Sequence, residues 1–311
     1  MKVIVFGSKG LVGSSISRIL EDSNKVDELI KSNRSELNLF NSKDVKEFVK
    51  NHQPDVIINA AAKVGGIHAN DTKRTEFILE NLKINMNVLE SCLEIPSIKI
   101  INLGSSCIYP LNAKNPINES EFMNGKLEPT NSPYAMAKLS AIEIGRSMSK
   151  QFGHRVLNLM PTNLYGPNDY FSDLDSHVIP ALIHRMQKTI EDDENKFTVW
   201  GSGSPLREFL YVDDLSNFIN FIIDKEVEND LINVGSGHEI SIKNLALLIK
   251  DLMGFKGDVV FDSSKPDGNP RKLLDSSLMN ELGWNDFTDL RNGLKNTIKW
   301  YKSNQESNRI N

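Results

Sequence analysis

The sequence predicts an α/β protein with a doubly wound parallel sheet, followed by a smaller mixed α/β part. Short apolar runs without polar alternation recur along the first half, as expected for strands that are buried on both faces. Stretches with helical periodicity separate these runs, which is the pattern of βαβ units. The 311 residues are enough for one large domain or two closely joined ones.

The first half accounts for most of the predicted sheet. Its predicted strands are Lys2–Phe6, Val26–Ile30, Asp55–Asn59, Ile98–Leu103 and Arg155–Met160. Its predicted helices are Leu11–Leu20, Ser42–Asn51, Glu76–Leu93 and Ser132–Gln151. This alternation predicts a parallel sheet, and by itself it also fits an α/β domain without a nucleotide site.

The second half is less regular. Its predicted helices are His177–Ile190, Asp213–Ile223 and Ser241–Met253, and its predicted strands are Phe197–Trp200, Arg207–Val212, Leu231–Val234 and Val259–Phe261. We expect a cofactor-binding domain at 1–165 with a return of the chain near 211–237, and a substrate domain at 166–210 and 238–311. The sequence has no evident linker, so we expect the two parts to pack directly. The polar segment Ser303–Asn311 is predicted to fray.

Composition excludes several classes of protein. Apolar residues make up 39% and charged residues 25%, which are ordinary globular values, and the net charge of −5 disfavours a nucleic-acid or anionic-membrane partner. It does not exclude a small anionic substrate. Two cysteines do not make a disulfide framework, no apolar run is long enough to span a membrane, and no metal-binding pattern is found. The amino terminus shows no signal-peptide pattern, so we expect a cytoplasmic, reducing location.

A glycine-rich turn joins the first predicted strand to the first predicted helix. Gly7, Gly10 and Gly13 permit a tight turn, close approach of the backbone to a pyrophosphate, and close contact between helix and strand. The helix amino terminus then offers N–H groups and the positive end of its dipole to phosphates. The pattern predicts a Rossmann-type dinucleotide site, although a turn that serves only packing would use the same residues. Within the turn we also assign Ser8, Lys9, Leu11 and Val12 to the cofactor.

The segment after the second predicted strand indicates which dinucleotide binds. An NAD site usually has an acidic residue here, which binds the ribose 2′-OH. This chain has Arg34 instead, and Lys9 in the glycine turn adds a second cation. A guanidinium can bind a 2′-phosphate, so the two residues predict NADP(H). The alternative is that both are solvated surface charges.

Three further residues predict ketone reduction. Tyr134 and Lys138 lie at i and i+4 on one predicted helix, so both project from one face. A nearby ammonium is expected to lower the pKa of the tyrosine, which is ordinarily near ~10. Ser105 follows the fourth predicted strand, where ligands of an open parallel sheet bind. A Tyr-x-x-x-Lys pair alone is often a chance surface pair, but this order of glycine turn, serine and pair is that of the short-chain dehydrogenase/reductase superfamily.

Several longer blocks make the resemblance more specific, because they resemble the GDP-L-fucose synthase family, an extended group of that superfamily. They run from the glycine turn almost to the carboxyl terminus. The blocks are Asn59–Ile67, Gly104–Pro110, Pro161–Pro167, Ser176–Leu182, Val199–Gly203, Arg207–Leu210 and Ser264–Gly268. The chain departs from the family in its glycine turn, where Ser8 and Lys9 replace a bulkier basic pair.

The resemblance implies an NADPH-dependent enzyme that converts GDP-4-keto-6-deoxy-D-mannose to GDP-L-fucose. It would epimerise C3 and C5 and then reduce the C4 ketone. The resemblance implies Cys107 as the base and His177 as the acid of epimerisation. A thiol titrates near ~8.5 and an imidazole near ~6.5, so both exchange protons readily at neutral pH. Without the flanking blocks, Cys107 would be read as a small buried residue and His177 as a surface residue.

The same resemblance implies the remaining roles. Tyr134 would protonate the C4 oxyanion, and Ser105 would donate a hydrogen bond to it. The other implied cofactor contacts are Leu39, Leu103, Gly104, Ser106, Pro161, Thr162, Asn163 and Leu164, together with Ser105, Lys138 and His177. The implied GDP-sugar contacts are Arg185, Trp200, Arg207 and Asp267.

Two other functions remain open. One is a related GDP-deoxyhexose enzyme such as a GDP-colitose synthase, which would differ only in its sugar contacts. The other is a non-catalytic NADP(H)-binding regulator, although such a protein would have no need of Ser105, Tyr134 and Lys138 together. By analogy with the superfamily we also expect a homodimer, paired through the helix that carries Tyr134 and the long helix before the fourth strand.

Overall fold

The computed structural model describes residues 1–265 and 267–305. The strands in chain order are β1 (Lys2–Phe6), β2 (Glu28–Ser32), β3 (Val56–Asn59), β4 (Lys99–Leu103), β5 (Arg155–Pro161), β6 (Asn163–Tyr165), β7 (Lys196–Trp200), β8 (Leu206–Tyr211), β9 (Leu231–Val234), β10 (Glu239–Ser241), β11 (Asp258–Asp262) and β12 (Arg271–Lys272). The helices are α1 (Leu11–Glu21), α2 (Ser42–His52), α3 (Ile67–Thr72), α4 (Arg74–Glu90), α5 (Ser132–Phe152), α6 (Val178–Glu191), α7 (Val212–Ile222), α8 (Ile242–Met253), α9 (Ser277–Glu281) and α10 (Leu290–Ser303). Two short 3-10 helices cover Ser106–Ile108 and Glu119–Glu121.

The main sheet has six strands in the order β2-β1-β3-β4-β5-β9, and every neighbouring pair is parallel. The chain leaves β1 toward one edge and returns as β3 on the other side of β1. This reversal opens a crevice at the carboxyl ends of β1 and β3, which is where doubly wound folds bind ligands. The predicted fold class is therefore confirmed.

Helices cover both faces of this sheet. On one face, apolar side chains of α1 and α7 pack on the strands around Ile16, Phe218 and Ile222. On the other face, α2, α4 and α5 do the same around Val45, Val88 and further apolar side chains. Both faces are thus dry, which explains why the strands are apolar without alternation.

A row of buried asparagines crosses the centre of the main sheet. Asn59, Asn102 and Asn158 are in register on β3, β4 and β5. The Asn59 amide donates to Asn102 Oδ1 at 3.2 Å, and the Asn102 amide donates to Asn158 Oδ1 at 3.0 Å. Each buried amide therefore finds a partner on the neighbouring strand.

A smaller mixed sheet lies beside the main one. In it β8 pairs with β6 and β12 in parallel and with β10 in the antiparallel sense, while β11 and β7 form a separate parallel pair. Helices α6, α8 and α10 enclose a second core with these strands, built around Phe171, Phe197 and Ile249. This arrangement agrees with the predicted mixed α/β part.

Element bounds differ from the predictions in a few places. The second strand covers Glu28–Ser32 instead of Val26–Ile30, and the long helix begins at Arg74 and ends at Glu90. Elements α3, α9, α10, β6, β10 and β12 were not predicted. Of the segment Ser303–Asn311, which was predicted to fray, residues 306–311 lie outside the described residues. Within residues 1–265 and 267–305, no helix combines the length and the apolar character that crossing a bilayer requires.

Candidate functional site

The glycine turn follows β1 at the crevice, and its geometry requires glycine. Gly7 has φ +78°, and a Cβ there would lie 2.8 Å from the backbone N and Cα of Ala61. A Cβ on Gly13 would lie 2.1 Å from the carbonyl oxygen of Gly7. Gly10 is the N-cap of α1, and neither a capping side chain nor an acidic residue occupies the first turn. The turn thus offers a helix amino terminus with no competing anion, which fits a pyrophosphate.

The two cations predicted to bind a 2′-phosphate lie at the surface. The Arg34 side chain is 82% exposed, its guanidinium is 5.5 Å from the centre of the Phe40 ring, and Glu80 is 4.0 Å away. Lys9 is also exposed. Ser8 is buried instead, and its hydroxyl donates to the Ser32 carbonyl at 3.1 Å, which ties the turn to the end of β2.

The structure brings Ser105, Tyr134 and Lys138 together beyond the end of β4. Lys138 is 2% exposed, and its ammonium donates to the Leu103 carbonyl at 2.6 Å. The ammonium lies 5.8 Å from the centre of the Tyr134 ring. The Ser105 hydroxyl lies close enough to the Tyr134 hydroxyl to favour its phenolate form. Strand β4 and helix α5 therefore assemble the predicted reductase triad.

Burial dominates the electrostatics of this triad. Loss of hydration lowers the pKa of Lys138 to about 8. It raises the pKa of Tyr134 above its ordinary value, and nearby Cys107 adds to this while the Ser105 hydrogen bond opposes it. The expected lowering of the Tyr134 pKa by Lys138 is therefore wrong, because burial penalises the phenolate more than its surroundings stabilise it. A neutral phenol is the form that can donate a proton.

Cys107 lies next to this triad in the first 3-10 helix, half-buried. The Ser105 hydroxyl accepts the Cys107 backbone N–H at 3.2 Å, which fixes the turn. The Asn131 amide donates to Cys107 Sγ at 3.4 Å. Sequence analysis missed Asn131, because an asparagine just before a helix is typical of an N-cap and indicates nothing about the site.

His177 is the N-cap of α6, and its side chain is exposed at the surface. The protein atoms around it nevertheless remove part of its hydration, and this desolvation lowers the pKa of the imidazole. The loop that follows β3 packs against the segment just before His177. The Gly66 N–H donates to the Asp175 carbonyl at 2.8 Å, and a Cβ on Gly66 would lie 2.4 Å from the Ser176 carbonyl oxygen. The adjacent Phe77 ring is 6.3 Å from the Tyr134 ring. These contacts place the chain that carries His177 against the surroundings of Tyr134.

The loop after β5 connects the cofactor side to β8. Pro161 ends β5, and Leu164 lies in β6. The Asn163 amide and the Thr162 hydroxyl both donate to the Glu208 carbonyl, at 2.8 and 3.3 Å. Of the other predicted cofactor contacts, Leu103 and Ser106 are buried beside Gly104 at the end of β4, and Leu39 is half-buried.

The predicted GDP-sugar residues form two groups in the smaller part. The Arg185 guanidinium lies 5.0 Å from the Trp200 ring centre, and Trp200 is 44% exposed. Arg207 is on β8, and its guanidinium approaches Gly268. The neighbouring Asp267 carboxylate accepts the Ser202 N–H and hydroxyl at 2.8 and 2.6 Å, which holds the loop in place. Pro266, within the same predicted block, lies outside the described residues.

Sequence analysis also missed Lys272. It lies on β12 in register with Arg207 on the neighbouring parallel strand. Two cations are therefore adjacent at this edge, a suitable arrangement for a diphosphate. The signal in the sequence was a basic pair, Arg271 and Lys272, with no periodicity to place it.

Comparison with known proteins gives consistent matches. The model of the NAD dependent epimerase/dehydratase family matches residues 3–235. The chain is 47% identical to "Probable GDP-L-fucose synthase 1" of Oryza sativa subsp. japonica, over 97% of this chain and 92% of that protein. It is 44% identical to the GDP-L-fucose synthase of Escherichia coli (strain K12), over 98% of each. A solved GDP-L-fucose synthetase from Naegleria fowleri bound to NADP superposes with a TM-score of 0.91 at 29% identity, covering 99% of this chain and 94% of that one.

Proposed function

The chain belongs to the NAD dependent epimerase/dehydratase family and, within it, to the GDP-L-fucose synthases, and on that premise we propose that it converts GDP-4-keto-6-deoxy-D-mannose to GDP-L-fucose. The reaction epimerises C3 and C5 of the sugar and then reduces its C4 ketone with NADPH. The observation that carries the proposal is the cluster of Ser105, Cys107, Tyr134 and Lys138 beyond the end of β4.

Reduction uses the triad. NADPH, when bound, supplies the hydride that reduces C4. Tyr134 donates its proton to the developing oxyanion, and its raised pKa keeps the phenol protonated until then. Ser105 donates a hydrogen bond to the same oxygen. Lys138, held by the Leu103 carbonyl, supplies positive charge beside the phenolate that remains.

Epimerisation requires a base and an acid on opposite faces of the sugar. Cys107 takes the proton from carbon, so the C–H bond breaks, an S–H bond forms and the electron pair moves to the ketone oxygen. His177 then delivers a proton to the other face of the same carbon. The hydrogen bonds that stabilise the C4 oxyanion during reduction also stabilise these enolates, so one site serves both steps.

The two parts of the chain divide the binding. Residues 1–165, with the return near 211–237, would hold NADP(H) through the glycine turn, with Arg34 and Lys9 at its 2′-phosphate. Residues 166–210 and 238–311 would hold the GDP moiety. There Arg207, with Lys272 beside it, is suited to the diphosphate. Arg185, Trp200 and Asp267 complete the site.

The test is product identification after incubation with NADPH and GDP-4-keto-6-deoxy-D-mannose. We expect NADPH oxidation with formation of GDP-L-fucose. A different GDP-deoxyhexose would place the chain with the related enzymes, and no NADPH oxidation would refute the proposal. A Cys107→Ser variant should lose deuterium exchange from D2O into the sugar far more than reduction. Equal losses would contradict the role of Cys107.

A homodimer is supported by an apolar surface on α4 and α5. Leu79 and Met86 lie seven residues apart on α4, Leu93 lies just beyond the end of that helix, and Met136 and Phe152 lie on α5. All five side chains are between 37% and 48% exposed although large and apolar. Light scattering should give twice the mass of the chain. Met86→Asp should yield monomers, whereas the control Leu247→Asp, at an exposed apolar position on α8, should not.

A further inference from the structure

Asn131 stands at a capping position but does not cap its helix. An asparagine at an N-cap ordinarily accepts a backbone N–H from the first turn. Asn41 does this at α2, where its side chain accepts the N–H groups of Lys43 and Asp44. Asn131 is the N-cap of α5, yet its side chain makes no such bond. The chain thus forgoes the stabilisation that this residue type normally provides.

The side chain of Asn131 is turned toward Cys107 instead. Its Nδ2 lies 3.4 Å from Cys107 Sγ. Its Oδ1 is buried and has no hydrogen-bond partner among the residues that the structure describes. A buried amide oxygen without a partner is costly and is uncommon in folded proteins. Its presence beside a nucleophilic sulfur, three residues before Tyr134, indicates a role in the site.

Hydrogen bonds hold the backbone at Asn131, which keeps its side-chain amide within reach of the sulfur. The Asn131 N–H donates to Glu128 Oε2 at 3.0 Å, and the Thr130 hydroxyl donates to the same oxygen at 2.6 Å. The Asn131 carbonyl accepts the Ala135 N–H at 3.0 Å as α5 begins. Glu128 therefore supplies the anchoring that frees the asparagine amide to reach the sulfur.

An amide suits a sulfur that alternately loses and gains a proton. Its NH2 group donates to a thiolate, and a hydrogen bond to the charged form favours that form. Rotated by half a turn, the same group presents Oδ1 as an acceptor for the thiol S–H. The amide itself exchanges no proton in either orientation.

We propose that Asn131 is a positioning residue that holds the Cys107 sulfur as a proton acceptor for epimerisation. The inference rests on the proposed function for the identity of the step, but the pairing of amide and sulfur can be tested without it. In the step, Cys107 breaks the C–H bond and gains the proton while Asn131 donates to the sulfur. When the thiol later loses its proton, the donor is again in place.

The first test measures alkylation of Cys107 by iodoacetamide against pH in the folded protein without substrate. Cys92 is fully buried, and burial raises its pKa to about 12, so it should stay unreactive, and Cys107→Ala supplies the blank. In Asn131→Ala we expect the pH at which the alkylation rate is half-maximal to rise by about one unit, because a hydrogen bond to the charged sulfur is lost. Asn131→Asp should move it further, because a carboxylate repels the thiolate and yet can still cap α5. The control Asn41→Ala should not move it.

The second test connects the pair to the reaction. Deuterium exchange from D2O into GDP-4-keto-6-deoxy-D-mannose, with NADP+ present, should fall at least about tenfold in Asn131→Asp. Reduction of the already epimerised 4-ketosugar should stay within about twofold. Superimposable alkylation profiles for wild type and both Asn131 variants would overturn the proposal. Absence of exchange in the wild type would refute the proposed function, and the alkylation profiles would still decide the role of Asn131.

Discussion

The glycine turn has two tasks, to let α1 pack closely on β1 and to leave room for a pyrophosphate. Replacing Gly13 with alanine should disturb the first task, and comparison with Gly10→Ala should separate it from the second. The new Cβ would lie 2.1 Å from the carbonyl oxygen of Gly7 and 2.9 Å from the Cα of Ser8. Both are backbone atoms, so relief requires α1 to move away from β1. Gly10→Ala is the matched control, because its Cβ would lie 3.4 Å from the same oxygen, an ordinary contact.

The expected magnitudes follow from these contacts. Overpacking against rigid backbone belongs at the upper end of the usual range, about 3 kcal/mol, and the better helix propensity of alanine returns about 1 kcal/mol. The net loss of about 2 kcal/mol should lower Tm by about 3 °C in a chain of 311 residues. Gly10→Ala should cost less than about 1 kcal/mol, the difference between glycine and alanine at an N-cap.

Binding of the cofactor provides the second readout. Calorimetric titration with NADP+ should show at least about tenfold weaker binding for both variants: in Gly13→Ala because the helix amino terminus moves, and in Gly10→Ala because a methyl group crowds the pyrophosphate. Thermal melts of the apo proteins should separate the two. Equal Tm values for the two variants would refute the packing argument, and unchanged affinity in both would refute placement of the pyrophosphate at this turn.

Three further predictions concern charge and packing. Because burial lowers the pKa of Lys138 to about 8, the unfolded chain binds an extra proton between about pH 8 and 10.5, so stability should rise with pH there by up to about 1.4 kcal/mol per unit. Urea melts of Lys138→Met should lack this rise. The Lys73 hydrogen bond holds the pKa of Asp175 low, so Asp175→Asn should cost about 0.5 kcal/mol at pH 7 in thermal melts, and the difference should vanish as the wild-type carboxylate protonates in acid. A Cβ on Gly104 would lie 1.9 Å from Met160 Cε, so Gly104→Ala should lower the free energy of unfolding by about 1–3 kcal/mol. In a double-mutant cycle, Met160→Val should recover part of this loss. Strict additivity of the two substitutions would contradict the contact.

Sequence patterns were most informative for strands whose bounds are set by burial alone. Strands Lys2–Phe6 and Leu231–Val234 were predicted with their observed bounds, because each is a short apolar run between polar or turn-forming residues. The second strand was placed two residues early. It lies at the edge of the sheet, ends in Lys31 and Ser32, and shows no apolar run to mark its end.

Elements that exist only through pairing could not be predicted. Strands β6, β10 and β12 are two or three residues long, and each is defined by its partner β8. Helix α3 has six residues, Ile67–Thr72, too few for a period to show. Such elements depend on tertiary contacts that local propensity does not encode.

The site shows the same division. The i, i+4 spacing placed Tyr134 near Lys138, but spacing does not encode burial, and burial reversed the expected direction of the Tyr134 pKa shift. Asn131 and Lys272 were missed because the sequence shows neither the direction of a side chain nor the register between two strands. One turns away from its helix and the other lies beside a cation 65 residues earlier in the chain.

The asparagine row in the main sheet has a consequence for how the strands find their alignment. The strands are buried on both faces, so the apolar pattern distinguishes poorly between one pairing and the next. Asn59, Asn102 and Asn158 distinguish the pairings sharply. A slip of one residue at any of these strands would set an amide opposite an aliphatic side chain. Buried donors and acceptors would then lack hydrogen-bond partners, and each such group costs about 1–3 kcal/mol. Three small polar side chains thus penalise wrong alignments in the part of the sheet from which Ser105 is presented.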